Sequence, residues 1–267
     1  MGDHGTFVKE DGEHGGTPLQ LDKVSYSNFA ALLYVPRSED YDKTTHLVNG
    51  AVQVSASNKE FTYAVNGRVL MQAKKTSPAT YSIASVPQEG AVQDGQMHGQ
   101  TTSIVLSKAW TKCSHSIGYK LSVVNNDIAC IVYTVPSLSK KISDNPARQA
   151  TMALHFTYNA LFQLKSSIVS DCYEVCSSQG AAQLAETGVA SSNVTVLTSK
   201  DSKKAGGGLY FSGRGKLASS KNMQLVDEKK RVVWQMSKID RHEYHVDFRS
   251  PINTVQSFAL AIAQCDL

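Results

Sequence analysis

The sequence is poor in the features that mark disulfide-rich, metal-binding and membrane-spanning proteins. Its 267 residues include five cysteines, an odd number and too few for the disulfide framework of a secreted domain. No Cys or His pairs recur at the spacing of a zinc site. No apolar run approaches the ~20 residues that a membrane-spanning helix needs. We therefore expect free thiols, a reducing compartment such as the cytoplasm, and no bound metal.

Patterns of common catalytic sites are missing as well. The chain contains no GxSxG, HExxH or phosphate-binding P-loop pattern. His245 and Asp247 could form part of a catalytic dyad, but no activated nucleophile accompanies them. His242 and His245 would point to opposite faces of a strand, which argues against shared metal ligation. We expect neither enzymatic activity nor a cofactor.

The charge is mild overall and unevenly spread. The formal net charge is +4, yet residues 1–50 carry four basic and eight acidic residues, whereas residues 51–267 carry 23 basic and 15 acidic ones. A basic surface attracts anions such as the phosphates of lipids or nucleic acids, or it serves only as a solvated face. Basic residues are not interleaved with aromatic ones, and no recognition-helix motif occurs, which disfavours nucleic acid as a partner.

Short segments of alternating apolar and polar residues recur from about residue 51 onward. The segments FTYAV and RVLMQ flank Asn66 and Gly67, a dipeptide that strongly favours a β-hairpin. Roughly a dozen such segments, separated by turn residues, predict a β-sandwich or a β-barrel. Residues 160–192 differ, because they are rich in Ser and Ala with apolar residues at helical spacing. They predict an inserted helix and loop.

The last segment has the pattern of a buried helix. Residues 251–265 contain no charged side chain, and apolar residues cover nearly the whole circumference, as in a helix enclosed by a core. At 1.5 Å per residue the helix would be about 22 Å long, too short to cross a bilayer. Ser250 and Pro251 predict its cap and first position. Many strands and one buried helix suggest a barrel that closes around that helix.

The C-terminal residues resemble the tubby C-terminal domain family. The stretch LYFSGRGKLASSKNMQLV at residues 209–226 is similar to the family block LNFxGRVxxASVKNFQ. WQM at residues 234–236, YHVDF at 244–248 and PINTVQSFALAIA at 251–263 follow in the order of the family's MQFG, FTMDY and PLxAxQAFAIAL pieces. Weaker similarity upstream extends the resemblance to about residues 48–267.

The resemblance implies a fold and an activity. The implied fold is mainly β, a closed antiparallel β-barrel of about 12 strands around a buried hydrophobic C-terminal α-helix, over residues 48–267 with the insertion near 160–192. Residues 1–47 would form an acidic, Gly-rich and partly disordered segment. The implied function is non-enzymatic binding of phosphoinositides, chiefly phosphatidylinositol 4,5-bisphosphate or another anionic headgroup. Such a module would dock on cytoplasmic membrane surfaces, as an adaptor for membrane-protein trafficking or signalling.

The resemblance carries over only part of the headgroup site. Lys75 falls on a family Lys with Lys74 beside it, but the two family Arg positions fall on Ser77 and Cys113. Arginine is the better phosphate ligand, because its planar fork makes paired hydrogen bonds where lysine is a point charge. The remaining candidate ligands are nearby basic residues and a polar turn residue: Lys108, Lys112 and Asn58.

Two alternatives to lipid binding stay open. A barrel that lost its arginines would serve as a protein-interaction adaptor for a protein cargo. By analogy with the family, the chain would otherwise be a membrane-released transcription regulator, for which a nuclear location is expected. We expect a monomer in either case. Gly2 also fits a loose N-myristoylation pattern.

Overall fold

The computed structural model describes residues 42–43, 46–86, 104–110, 116–123, 126–134, 149–155, 194–200 and 209–267. Most of the predicted N-terminal segment, including Gly2, lies outside these residues, and so does the predicted insertion near 160–192. Among the described residues, no helix has both the length and the apolar character needed to cross a bilayer.

The described chain is mainly β, with strands that alternate between an inner and an outer face. Twelve strands are present: β1 (Gly50–Val54), β2 (Glu60–Val65), β3 (Arg68–Ser77), β4 (Thr80–Ser85), β5 (Ile104–Trp110), β6 (Ser116–Val123), β7 (Asn126–Thr134), β8 (Gln149–His155), β9 (Val194–Ser199), β10 (Met223–Val226), β11 (Val232–Asp240) and β12 (Glu243–Phe248).

Each strand pairs antiparallel with its neighbours in the chain. In addition, β1 pairs with β12 through Ala51 opposite His245 and Val52 opposite Tyr244, so the strand order returns to its start. The predicted hairpin at Asn66 and Gly67 is confirmed, because these residues join β2 to β3 with φ angles of 49° and 78°. Such left-handed angles suit a tight two-residue turn. The mainly β, antiparallel prediction is confirmed.

One helix, α1 (Thr254–Asp266), follows β12 and is buried from residue 254 to residue 264. It begins three residues later than Ser250 and Pro251 predict, because Asn253 is the cap. The Asn253 Oδ1 accepts from the Gln256 backbone N at 2.8 Å, and the Gln256 Oε1 accepts from the Asn253 backbone N at 3.0 Å. This reciprocal pair satisfies two donors that the start of a helix leaves unpaired.

The helix packs on the inner face of the sheet through aromatic and polar contacts. Phe258 stacks on Tyr63 with ring centroids 5.1 Å apart. The Ser257 Oγ lies 2.9 Å from the Tyr63 Oη and accepts from the Trp234 Nε1 at 3.2 Å. Burial of several aromatic rings and the helix's own apolar side chains supplies the main stabilisation. The predicted burial of the terminal helix is confirmed.

The outer face of β11 is covered as well. Gln235 and Ser237 are buried although they alternate with the inward-facing Trp234 and Met236. Residues 209–222 lie over them, with the Leu217 backbone N donating to the Lys238 O at 3.1 Å. This covering segment makes β11 a strand that is buried on both faces.

Candidate functional site

The predicted ligands that lie among the described residues gather at the end of the sheet where α1 ends. The β1–β2 turn and β3 meet there, since the Lys75 backbone N donates to the Lys59 O at 2.7 Å. The β3–β4 turn meets β5 there, because the Lys108 backbone N donates to the Ala79 O at 2.6 Å. The structure thus brings Asn58, Lys75 and Lys108 to one end. Lys112 and Cys113 lie outside the described residues.

Strand alternation sends Lys74 and Lys75 to opposite faces. Met71 and Ala73 are buried in β3, and Lys75 continues that inward row. Its neighbour Lys74 points outward, with its side chain 74% exposed and its Nζ 3.6 Å from the Glu60 Oε1. An exposed ion pair of this kind contributes little to stability. The two adjacent lysines therefore have different surroundings and different partners.

Lys75 and Lys108 both contact the carboxylate of Asp266, the last residue of α1. The Lys75 Nζ lies 2.6 Å from the Asp266 Oδ1, and the Lys108 Nζ lies 3.3 Å from the Oδ2. The Tyr119 hydroxyl donates to the Oδ2 at 2.8 Å, and the Tyr81 hydroxyl donates to the Oδ1. We call these five residues the Asp266 cluster. Four donors from four strands converge on one carboxylate.

The cluster holds its carboxylate ionised and its tyrosines protonated. Burial opposes ionisation of Asp266, but hydrogen bonds from Lys75, Tyr81 and Tyr119, together with the charge of Lys108, outweigh it and lower the Asp266 pKa. Burial raises the pKa of Tyr81 and of Tyr119, and the neighbouring Asp266 raises both further. Both hydroxyls consequently remain hydrogen-bond donors at neutral pH.

The Asp266 cluster also brings positive charge to the C-terminal end of α1. An acid at a helix C-terminus faces the negative end of the helix dipole, so it needs compensating donors. No basic residue lies in the last turn of α1; the two lysines come from β3 and β5. The Lys75 and Lys108 ammonium groups also lie 5.1 and 5.6 Å from the ring centroids of Tyr81 and Tyr119, within cation–π range.

Asn58 and Lys59 lie in the exposed β1–β2 turn. Asn58 has a φ of 55°, a left-handed angle that Asn tolerates better than most residues. Its backbone N donates to the Ser55 O at 2.9 Å. The Ser55 Oγ accepts from the backbone N of Lys59 at 3.3 Å and of Glu60 at 3.1 Å. Backbone and serine bonds thus shape the turn and leave both side chains exposed.

The sequence interpretation missed three members of the Asp266 cluster. Tyr81 and Tyr119 lie opposite Lys75 and Lys108 in the strand registers, and Asp266 is the first acid after a long uncharged stretch. That lone acid beside a buried helix was the available signal. The sequence could not identify the partners of Asp266, since they lie 147 to 191 residues away along the chain.

A second carboxylate, Asp247, is held under the covering segment. It accepts from the Arg214 Nε at 2.7 Å and from the Gln235 Nε2 at 2.9 Å. The Gly50 backbone N donates to it at 3.3 Å. The ring Nδ1 of His245 lies 2.8 Å from the Arg214 O, so His245 and Asp247 both hold the covering segment in place.

Comparison with known proteins agrees with this architecture. The family model described as the Tub family matches residues 32–267. The chain belongs to the Tub family. A search of the curated proteins finds no match. The Tub family is a family of non-enzymatic domains, and the predicted membership is confirmed. The headgroup ligands of this tubby-like domain stay predictions: Asn58, Lys74, Lys75, Lys108 and Lys112.

Proposed function

We propose that this tubby-like domain is a non-enzymatic module that binds an anionic lipid headgroup, with phosphatidylinositol 4,5-bisphosphate as the first candidate. The headgroup meets the end of the sheet that carries Asn58, Lys59 and Lys74. The domain docks as a monomer on the cytoplasmic face of a membrane, from which it serves as an adaptor for membrane proteins.

The observation that carries this proposal is the concentration of cationic side chains at that end. Lys59 and Lys74 are exposed there, with Lys75 and Lys108 just inside. Each lysine near an anionic membrane contributes about 1 kcal/mol of attraction. A cluster of several lysines on one end gives the domain a defined orientation on the membrane surface.

Sedimentation with vesicles tests the proposal. One set contains phosphatidylinositol 4,5-bisphosphate, and a second set carries the same surface charge as phosphatidylserine. We expect tighter binding to the first set, by about tenfold, which corresponds to about 1.4 kcal/mol. Equal binding to both sets would show that general electrostatic attraction accounts for the binding, and it would contradict a specific headgroup site.

A second candidate function, a protein-interaction adaptor without specific lipid binding, is favoured by the state of the inner lysines. Lys75 and Lys108 already contact Asp266, and Ser77 replaces a family arginine. If the domain is such an adaptor, the full chain recovers a stable protein partner in pull-down experiments and binds neither vesicle set. Tight binding to phosphoinositide vesicles without such a partner would dismiss this candidate.

A further inference from the structure

The Asp266 cluster has the donors of a phosphate-binding site, although its occupant is a carboxylate of the same chain. Two ammonium groups and two phenolic hydroxyls point at one carboxylate. Phosphate oxygens accept the same charge-assisted hydrogen bonds as carboxylate oxygens. A phosphate monoester carries a charge of about −1.5 to −2 and three acceptor oxygens, whereas a carboxylate carries a single charge and two oxygens.

We propose that Lys75, Lys108, Tyr81 and Tyr119 form an anion cradle that Asp266 fills as an internal competitor, and that an external phosphate monoester binds there only by displacing the Asp266 side chain. The inference rests on the proposed function, since it concerns how the same end of the sheet takes up a headgroup phosphate. The phosphate could come from a lipid headgroup or from a soluble inositol phosphate.

The cradle is accessible from solvent. The side chains of Lys75 and Lys108 are 24% and 16% exposed, while that of Asp266 is 7% exposed. Cys265, Asp266 and Leu267 are the only partly exposed residues of the described end of the chain, after the fully buried stretch of α1. An anion that arrives at this end meets the lysines before it meets the core.

Displacement requires only a local change. The backbone of the last turn is held independently of the carboxylate, because the Lys221 Nζ donates to the Cys265 O at 3.0 Å. The Gln264 Nε2 donates to the Lys221 O at 3.1 Å. The Asp266 side chain can therefore rotate toward solvent while the helix keeps its place.

The test compares Asp266→Asn with two matched controls. Asp266→Glu keeps a carboxylate in the cradle. Asp227→Asn removes the same charge at the β10–β11 turn, at the opposite end of the sheet, where Asp227 pairs with Arg231. Affinity is measured for vesicles with phosphatidylinositol 4,5-bisphosphate and, separately, for soluble inositol 1,4,5-trisphosphate.

We expect Asp266→Asn to bind both probes about tenfold more tightly than the unchanged chain, whereas Asp227→Asn stays close to the unchanged chain and Asp266→Glu binds less tightly than Asp266→Asn. Unchanged or weaker binding by Asp266→Asn, while the unchanged chain binds the vesicles, overturns the cradle and leaves the proposed function standing. Tighter binding of the soluble probe without vesicle binding supports the cradle and contradicts membrane docking. Failure of every variant to bind either probe overturns both.

A measurement on the unchanged sequence decides the matter if Asp266→Asn does not fold. Reductive methylation with a 13C label keeps the lysine charge and gives each lysine a nuclear magnetic resonance signal. Lys75→Arg identifies the Lys75 signal. An excess of inositol trisphosphate should shift that signal, because a phosphate replaces the carboxylate beside it. A shift of the Lys74 signal alone would overturn the proposal.

Discussion

Asp247 and Asp266, two carboxylates among the described residues of this tubby-like domain, differ in what surrounds them. Asp247 is 1% exposed and meets one guanidinium group, that of Arg214, with a side-chain amide and a backbone N completing its bonds. Asp266 lies at an end of the sheet and meets two ammonium groups and two hydroxyls. The Asp247 carboxylate contacts one cation and is enclosed, whereas the Asp266 carboxylate contacts two cations whose side chains are partly exposed.

The difference separates a structural ion pair from a candidate binding site. A buried pair with one partner of each sign has nothing to offer a ligand, and the loss of either partner leaves an uncompensated charge. A carboxylate that shares two cations near the surface occupies a place that another anion can take. The composition of the cluster, rather than its burial alone, indicates which carboxylate is replaceable.

The largest expected effect is that of Asp247→Ala on stability. The substitution removes the buried carboxylate that accepts from the Arg214 Nε and from the Gln235 Nε2. We expect the free energy of unfolding, measured by urea titration, to fall by about 3–5 kcal/mol. The control Glu60→Ala removes an exposed pair, because the Glu60 side chain is 62% exposed and lies 3.6 Å from the Lys74 Nζ, and it should cost less than about 1 kcal/mol. Similar losses in the two variants would contradict the structural role of Asp247.

Asp266→Asn should destabilise the domain by less. Hydrogen bonds to a charged group contribute about 1.5–3 kcal/mol, and the neutral amide keeps some of the four contacts. We expect a loss of about 2 kcal/mol in the same urea titration. A loss as large as that of Asp247→Ala would mean that the cluster is a core element, and the contrast between the two carboxylates would disappear.

The contribution of Asp266 should depend on pH with a definite sign. Its pKa in the folded state is lowered from the ordinary 3.8, so folding favours the ionised form. The stability it adds is fully present above about pH 5, and it is lost as the pH falls below 3.8 and passes the lowered value. The groups that face it are Lys75, Tyr81, Lys108 and Tyr119, with Cys265 beside it in α1.

The difference in the free energy of unfolding between the unchanged chain and Asp266→Asn isolates the pH-dependent contribution of Asp266, because all other carboxylates are common to both. Urea titrations at a series of pH values should show the difference shrinking toward acid. A difference that stays constant from neutral pH to about pH 2 would contradict the lowered pKa.

Lys74→Ala should have the smallest effect on stability and a clear effect on binding. Its side chain is 74% exposed, and such surface pairs add little to folding, so the urea midpoint should not move. Affinity for vesicles with phosphatidylinositol 4,5-bisphosphate should fall about fivefold, because one lysine near an anionic surface contributes about 1 kcal/mol. Lys229→Ala, an exposed lysine in the β10–β11 turn, is the control. Equal losses in both variants would contradict a defined binding end.

The sequence predicted the elements better than it predicted the side-chain partners. The Asn66–Gly67 hairpin and the buried helix follow from local rules, namely turn geometry and an uncharged apolar stretch. The helix start was missed although Asn253 and Gln256 have the spacing of a capping box. Lys74 and Lys75 were treated alike, yet the buried Met71 and Ala73 place them on opposite faces.

Asp266 could not be assigned to its partners because they depend on where the end of α1 comes to lie among four strands. No local rule relates a helix terminus to the ends of β3, β4, β5 and β6. The same holds for Asp247, whose partner Arg214 belongs to a covering segment without regular secondary structure. Contacts between residues far apart in the chain create both clusters.

The most direct test of the account is a double-mutant cycle between Lys75 and Asp266, measured as affinity for vesicles with phosphatidylinositol 4,5-bisphosphate. Since Asp266 engages Lys75, Lys75→Met should change the affinity of the unchanged chain by less than about twofold, and that of the Asp266→Asn variant by about tenfold. The same factor in both backgrounds would contradict the competition between Asp266 and the headgroup.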